Sequence, residues 1–482
     1  MPNVSVGSQW RKTKIIATLG PGSNSRQIIR EMIEAGVNVF RLNMSHGNHQ
    51  SHASSVELIK SESEKLDVIV AILVDLSGPK IRVGLFHGGE ALLEPGKDVI
   101  ITCEKYKGDQ TRFCSQYEGL YVDVKSGDRI FIDDGKIGLI VDKIERKDIY
   151  CKVKNGGIVR DNKGMNLPDT IVSIDCFTDK DMKDADFAIS INADFVALSF
   201  VGKESDVIKL KKYLEDKSSN IKVIAKIERS EAVDNIHSII EEAYGIMIAR
   251  GDLGIELPAQ EVPIVQKNLI EIARKASKPV IVATQMLESM IKSSTPTRAE
   301  VGDVANAALS GVDAVMLSAE TASGKYPVKS VQMMSDILKE IDIYHIKRKH
   351  YFDEVSEREK EKAYSIREAV SHAVTSLAKN LDLKGIIVPT RTGTTAVVLA
   401  ANRPLSSLIA VCDDDNICRR MSLHWGVLSF KTSRDMVKSW KDLCLKVSER
   451  CLIVAKGDSV LLVSGFNDDP QLNEPVIKLV TI

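Results

Sequence analysis

The strongest constraint in this 482-residue chain is a rhythm of short apolar runs that alternate with amphipathic helical segments and end on polar residues. Lys14–Thr18, Val37–Asn43 and Val68–Leu73 read as strands, the last running into Asp75. Between the first two, Ser25 to Ala35 reads as a helix with Ile28, Ile29, Met32 and Ile33 on one side and Gly36 stopping it. The rhythm is interrupted after Arg82 and resumes near Asp179. Strands then read at Phe195–Phe200, Ile221–Glu228, Gly245–Ala249, Val280–Thr284 and Ala314–Leu317. Strand–helix–strand order with buried strands implies a parallel sheet. Eight such units can close on themselves, so the expected fold is α/β, a (β/α)8 barrel. An open doubly wound sheet is the alternative. The count of eight and the polar residues at several strand ends favour the barrel.

The interruption has a different character. Turn signals crowd in at Gly88-Gly89, Pro95-Gly96, Ser126-Gly127, Asp133-Asp-Gly135 and Asn155-Gly-Gly157. In Ile149-Tyr-Cys-Lys-Val-Lys154, Ile149, Cys151 and Val153 face one way and Lys152 and Lys154 the other, the pattern of a half-exposed antiparallel strand. Residues 83–175 are therefore expected to form a small all-β domain inserted after the third barrel strand, with 1–82 and 176–345 forming the barrel. Charges crowd from Leu338 to Lys362, the pattern of a solvated helix and a domain boundary. A second α/β domain follows over 346–482. Ile366, Ala369, Val370, Ala373, Val374, Leu377, Ala378 and Leu381 lie on one helical face. Strands read at Gly385–Val388, Leu408–Val411, Val427–Phe430, Val460–Ser464 and Val476–Val480.

Length divided by about 150 agrees with three domains. The 65 Lys+Arg nearly cancel the 66 Asp+Glu, which argues against nucleic acid or an acidic membrane as partner. No apolar run approaches the ~18 residues of a membrane span. The first eleven residues lack the apolar stretch of a secretory signal. Eight cysteines, spread without a CxxC pair, read as reduced thiols of a cytosolic protein, not as a disulfide frame or zinc site.

Chemistry concentrates at the barrel-strand ends. Val223-Ile-Ala-Lys226-Ile-Glu228 puts Ile224, Lys226 and Glu228 on one face of a strand, with the charged pair at its C-terminal end. Taken alone, that pair is equally a structural ion pair. Other strand ends supply Arg41, Asn43, Ser45 and His46; Asp75, then Lys80 and Arg82; Arg250-Gly-Asp252; Thr284-Gln285; and Ser318 with Glu320. In a barrel they meet at one mouth. Glu228 and Asp252 are hard oxygen donors that suit Mg2+ or Mn2+ better than zinc. Arg41 and Arg82 offer forked donors for phosphate. Lys226 can sit against a transferring phosphoryl group or a developing enolate. Gly251 lets a carboxylate approach backbone N–H groups at a helix start.

Arg41-Leu-Asn-Met-Ser-His-Gly47, Ala225-Lys-Ile-Glu228, Ala249-Arg-Gly-Asp-Leu-Gly254, Ala283-Thr-Gln-Met-Leu-Glu-Ser289 and Met316-Leu-Ser-Ala-Glu-Thr321 closely resemble the motifs of the pyruvate kinase family. The resemblance implies transfer of the phosphoryl group of phosphoenolpyruvate to ADP, giving pyruvate and ATP, by a cytoplasmic homotetramer. It makes Glu228 and Asp252 the divalent-metal ligands. Lys226 becomes the group that stabilises the phosphoryl group and enolate. Arg41, Gly251, Asp252 and Thr284 become substrate-binding positions. Thr284 and Ser318 lie on the proton-donor route, and His46, Arg82 and Lys163 on the nucleotide side. The inserted domain becomes a β-barrel lid, with Lys163 at its end. Family members that bind K+ use residues matching Asn43, Ser45, Asp75 and the Leu76 backbone, and carry Glu where this chain has Lys80. Lys80 resembles the potassium-independent branch, because a fixed ammonium supplies the ion's charge and repels the ion. K+ is therefore not expected to be required.

The loop Thr390-Arg391-Thr392-Gly393-Thr394-Thr395 opens an apolar helix, Ala396–Ala401. Its hydroxyls, glycine and arginine suit a phosphate, and equally a capped turn. The resemblance implies a phosphorylated allosteric effector there; fructose 1,6-bisphosphate, another sugar phosphate and AMP stay open. His46, His49 and His52 read as solvated, with no carboxylate partner close by, in preference to a metal site. Met286 and Met290 read as core. Two rival functions stand beside the kinase. One is a metal-dependent, enolate-forming lyase on a similar barrel. The other is a non-catalytic effector-binding relative, which should have lost Lys226, Glu228, Asp252 or Thr284.

Overall fold

The computed structural model describes residues 11–348, 365–432, 440–450 and 453–482. Strands β1 (Lys14–Thr18), β2 (Val39–Asn43) and β3 (Ala71–Asp75) open a barrel. The chain then leaves it for β4 (Glu90–Leu93), β5 (Asp98–Thr102), β6 (Arg112–Cys114), β7 (Arg129–Ile132), β8 (Ile137–Glu145), β9 (Asp148–Asn155), β10 (Gly157–Arg160) and β11 (Met165–Asn166). It returns as β12 (Phe195–Leu198), β13 (Lys222–Ile227), β14 (Gly245–Ala249), β15 (Val280–Ala283) and β16 (Ala314–Leu317). The barrel closes as β1-β16-β15-β14-β13-β12-β3-β2, so the closed form holds over the open sheet. The first helix, Arg26–Ala35, is capped by Ser25 and ended by Gly36 at φ 110°, a conformation glycine adopts without strain. The third strand starts and ends later than its apolar run suggests. Its register against β2, with Asn43 opposite Asp75, carries it through Asp75.

Inside the barrel, alternate side chains point inward. Ile16, Val39, Leu73, Phe195, Ile224 and Met316 belong to an interior cluster distinct from the one between strands and helices. Carried to the strand ends, the alternation makes Thr18, Arg41, Asp75, Ser199 and Lys226 a polar layer above the apolar ones. Below, the apolar cluster is completed by Leu423, fully buried and contributed by the C-terminal domain. Around this plug Arg403 pairs with Asp313 at 2.9 Å, His424 meets the Tyr244 hydroxyl at 2.7 Å, and Lys12 stands over the Trp425 ring.

The inserted strands form a six-stranded sheet, β11-β7-β8-β9-β5-β6, and a β10-β4 ribbon around one core. Ile149, Cys151 and Val153 are buried there, while Lys152 and Lys154 are exposed. In the C-terminal domain β17 (Gly385–Pro389), β18 (Ser407–Cys412), β19 (Val427–Lys431), β20 (Ser459–Ser464) and β21 (Val476–Thr481) lie in the order β19-β18-β17-β20-β21, with β21 an antiparallel edge.

Four expectations need correction. The helix Ile366–Asn380 buries Ser371, Val374 and Ala378, whereas Ile366, Leu377 and Leu381 are exposed. Small residues let it lie close to its neighbours, and the larger apolar stripe is left outside. The charged stretch is not simply solvated: the helix Pro327–Arg348 runs through its start with Asp342 and His345 buried. Its remainder, 349–364, lies outside the described residues. The helix after the Thr390–Thr395 loop begins at Thr394, two residues early, with Gly393 as its N-cap. Not all cysteines are reduced thiols: Cys412 and Cys418 form a disulfide. The short turn between β18 and the helix Asp415–Met421 folds Cys418 back over the strand end, with Cα atoms 6.1 Å apart. Cys103, Cys114, Cys151, Cys176 and Cys444 are free and buried, and Cys451 lies outside the described residues. No described helix is long and apolar enough to cross a membrane.

Leu423 ties the domains through the barrel interior. Leu423→Ala is expected to lower stability by about 2–5 kcal/mol, the range for a buried leucine truncation. The midpoint of chemical denaturation reads the loss; an unchanged midpoint contradicts the plug.

Candidate active site

Arg41 and Asp75 come from adjacent strands, and β13 follows one strand further on, beyond β12. Arg41 Nε donates to Asp75 Oδ2 at 2.7 Å, and Arg41 Nη1 to Thr18 Oγ1 at 3.0 Å. Lys226 Nζ stands 3.2 Å from Asp75 Oδ1, 2.8 Å from Glu228 Oε1 and 2.7 Å from Ser199 Oγ. Glu228 Oε2 accepts from Phe200 N–H at 2.8 Å. Asp75 and Glu228 are almost wholly buried. Burial opposes the charge of Asp75, but Lys226 and Arg41 hold its carboxyl below the usual range. Burial likewise opposes the charge of Lys226, but Asp75 and Glu228 hold its ammonium above the usual lysine value. The Lys226–Glu228 ion pair is real, and it belongs to a wider network in which two cations meet two anions.

Asp252 sits in the first turn of the helix Arg250–Glu256, which starts directly from β14. Burial and then Glu228 push its carboxyl up to about 6, against the pull of Lys226 and Lys80. Arg250 is held by Asp303 at 2.7 Å and donates to Thr284 O at 2.8 Å. Gly251 N–H donates to Thr284 Oγ1 at 2.8 Å. Thr284 and Gln285 have φ of 69° and 55°, left-handed values that cost a β-branched residue most. That strain turns the strand end toward Gly251. Met286 and Met290 behind it are fully buried core. Ser318 is at the end of β16, its N–H donating to Glu320 Oε2 at 2.7 Å; its hydroxyl is not hydrogen-bonded to Thr284.

The remaining expected residues are spread around this centre. Asn43 Oδ1 accepts from Ser45 N–H at 3.1 Å, and Leu76 O from Ser199 Oγ at 2.7 Å. Lys80 extends past Gly164, where a Cβ would come 2.8 Å from its Cε. With Asp252, Glu256 and Phe200 it lines a narrow cleft of about 50 Å³ between barrel and insertion. Arg82 donates to Asn162 O at 2.8 Å, and Lys163 pairs with Asp133 at 2.7 Å. His46 is exposed on the loop after β2, its carbonyl 2.8 Å from His52 Nε2. His49 does have a carboxylate partner, contrary to expectation. Asp184, from the distant helix Asp179–Ser190, lies 2.7 Å from its Nε2, and Phe187 stacks on its ring. In the 390–395 loop Thr390 Oγ1 accepts from Gly393 N–H at 2.9 Å, Thr392 and Thr394 hydroxyls meet at 2.8 Å, and Thr394 bonds Asp468. Thr395 Oγ1 accepts from Phe466 N–H. Arg391 is exposed beside them.

Thr18, Ser199 and Phe200 were missed by the sequence reading. The signal is in the sequence: Thr18 and Ser199 stand at the ends of the first and fourth barrel strands, but a hydroxyl there does not stand out as a charge does.

A closed (β/α)8 barrel with balanced buried charges and paired metal-type carboxylates at its mouth defines an enzyme of phosphoryl or enolate chemistry. Residues 10–331 match the family model "Pyruvate kinase, barrel domain" and 368–473 match "Pyruvate kinase, alpha/beta domain". The chain is 42% identical over 459 residues to the pyruvate kinase of Thermococcus litoralis, covering 94% of this chain and 95% of that protein. It is 41% identical over 458 residues to that of Staphylococcus aureus, covering 94% of this chain and 78% of that protein. The crystal structure of a pyruvate kinase from Cryptosporidium parvum superposes with a TM-score of 0.88 at 33% identity, covering 100% of this chain and 99% of that one. The chain belongs to the pyruvate kinase family, and it is a phosphotransferase.

Asp75 is the shared partner of two buried cations. Asp75→Ala leaves Arg41 and Lys226 facing each other, and is expected to cost about 3–5 kcal/mol, as for breaking a buried ion pair. Equilibrium urea unfolding checks this; a loss under about 1 kcal/mol contradicts the arrangement.

Proposed function

We propose that the barrel mouth transfers the phosphoryl group of phosphoenolpyruvate to ADP and protonates the resulting enolate, giving pyruvate and ATP. The observation that carries this is the buried Arg41–Asp75–Lys226–Glu228 network with Asp252 and Thr284 at the same mouth. Lys226 stays protonated under the hold of Asp75 and Glu228, and so brings a fixed positive charge to the transferring phosphoryl group and the enolate oxygen. Arg41, aligned by Asp75 and Thr18, orients the phosphate. Gly251 N–H and the Thr284 hydroxyl bind the substrate carboxylate side. Thr284 and Ser318 lie on the route of the proton to the enolate.

Glu228 and Asp252 fit a divalent ion. Asp252 is hard to ionise because it is desolvated beside Glu228, and a hard dication at these oxygens relieves both effects. Mg2+ or Mn2+ there supplies charge neutralisation to phosphoryl oxygens. Arg82 and Lys163, with His46 across the mouth, make the nucleotide side, and closure of the inserted β-domain excludes water. Lys80 supplies the charge that K+ supplies elsewhere, from the Asp252 side of the mouth. An enolate-forming lyase needs no nucleotide side, and a non-catalytic relative needs none of Lys226, Glu228, Asp252 and Thr284.

A homotetramer agrees with the outer edge of β21, which pairs with no other described strand and where Val476 and Leu479 are more than half exposed, and with the exposed stripe of Ile366–Asn380. Light scattering at twice the chain mass or below rules the tetramer out. The 390–395 loop holds a phosphorylated effector, Asp468 moving away from Thr394 as the phosphate arrives.

A lactate dehydrogenase-coupled assay with phosphoenolpyruvate, ADP and MgCl2 is expected to show turnover in buffer free of Na+ and K+. Lys226→Met is expected to lower it by a factor of about 10^3 or more, the scale of losing a transition-state charge contact. Negligible turnover without KCl, rising steeply with it, defeats the role given to Lys80. For the effector loop, Thr394→Ala/Thr395→Ala should abolish activation by sugar phosphates and AMP while leaving unactivated turnover intact; full activation of the double variant removes the site.

A further inference from the structure

One buried hydroxyl at the mouth has no role in the chemistry above. Ser199, one residue past β12, is 2% exposed. Its Oγ is 2.7 Å from Leu76 O and 2.7 Å from Lys226 Nζ. A serine hydroxyl carries one proton, and a carbonyl only accepts. The proton therefore goes to Leu76, and toward Lys226 Oγ acts as acceptor. The ammonium donates to Ser199 Oγ and stands in ion-pair contact with two carboxylates, Glu228 Oε1 at 2.8 Å and Asp75 Oδ1 at 3.2 Å. Both carboxylates hold Lys226 but also offset its charge. Ser199 is neutral. It fixes where the ammonium points and leaves its charge available.

The next residue does the same for the partner group. Phe200 N–H donates to Glu228 Oε2 at 2.8 Å. Its φ is 57°, a left-handed value that is strained for a bulky residue and persists where the surroundings enforce it. Gly78 is the surrounding that permits it: a Cβ there would stand 2.8 Å from Phe200 Cδ2 and 3.0 Å from Ser199 Cβ. The exit of β12 thus grips both charged groups at the exit of β13. Through Leu76 O it also ties them to the exit of β3.

We propose that Ser199 is a positioning residue for phosphoryl transfer, aiming the Lys226 ammonium by a neutral hydrogen bond anchored on the Leu76 carbonyl. This rests on the role given to Lys226 above. The chemistry predicts a rate effect in place of an affinity effect, because Ser199 touches Lys226 and not the substrate.

The test compares wild type, Ser199→Ala, Ser199→Thr and Lys226→Met in the coupled assay with phosphoenolpyruvate and ADP, alongside their melting temperatures. Ser199→Ala is expected to lower kcat about 10–100-fold, the rate equivalent of one hydrogen bond to a charged group. The KM for phosphoenolpyruvate should move less than about threefold, the signature of an interaction realised in the transition state. Ser199→Thr keeps the hydroxyl and should restore most of kcat. Wild-type kcat in Ser199→Ala overturns the proposal. So does an equal loss in Ser199→Ala and Ser199→Thr, or a loss that follows a lowered melting temperature, either of which makes Ser199 a packing residue. Full turnover in Lys226→Met instead defeats the reading of Lys226, whatever the serine variants do.

Discussion

The buried carboxylate of Asp75 is the constraint on which the rest of the mouth depends. It accepts from Arg41 with one oxygen and faces Lys226 with the other. Without it, two cations would share a desolvated space, a cost that no local packing offsets. With it and Glu228, the layer is electrically neutral, and each cation has a fixed direction. That neutrality depends on how the strands curve. Arg41 and Asp75 come from neighbouring strands, but Lys226 arrives from β13, beyond β12, and the curvature of the barrel brings it across.

The polar layer is supported from both sides. Beneath it, inward side chains from alternate strand positions pack as an apolar layer, and Leu423 closes the bottom. Above it, backbone strain is concentrated where strands give way to loops. Phe200, Thr284 and Gln285 hold left-handed conformations that bulky or β-branched residues avoid. Two of them make a contact in the site: Phe200 N–H donates to Glu228, and the Thr284 hydroxyl oxygen accepts from Gly251 N–H. Such strain persists because the apolar layers and the flanking hydrogen bonds over-determine these turns. A rigid support of this kind suits chemistry in which the protein mainly positions charges.

Much of this was legible from periodicity. The alternation of eight apolar runs with helical segments gives the barrel, and the two-residue repeat of a strand carried to its end gives the polar residues that share a face. The reading succeeded for Lys226, Glu228, Arg41 and Asp75 because charge at the end of an apolar run stands out. It passed over Thr18 and Ser199, whose hydroxyls look unremarkable in sequence although they obey the same rule. It misjudged His49, whose partner Asp184 is 135 positions away. It misjudged Cys412 and Cys418 because nothing in a six-residue spacing says that a strand end and a helix will fold back on each other. The helix at 366–380 carries two stripes, and periodicity alone favours the larger one, whereas close packing selected the smaller residues.

By itself the sequence determined the strand count, the site of the insertion, the family and the residue types gathered at the strand ends, because these follow from local periodicity and contiguous motifs. Only the tertiary structure decided which oxygen each proton faces. It decided that Ser199 accepts from Lys226, that Lys80 and Asp252 line one cleft, and that the C-terminal domain closes the barrel floor with Leu423. The physical reason is range. Periodicity is set by neighbours along the chain, while hydrogen-bond direction, desolvation and charge balance depend on groups that meet only when the barrel closes.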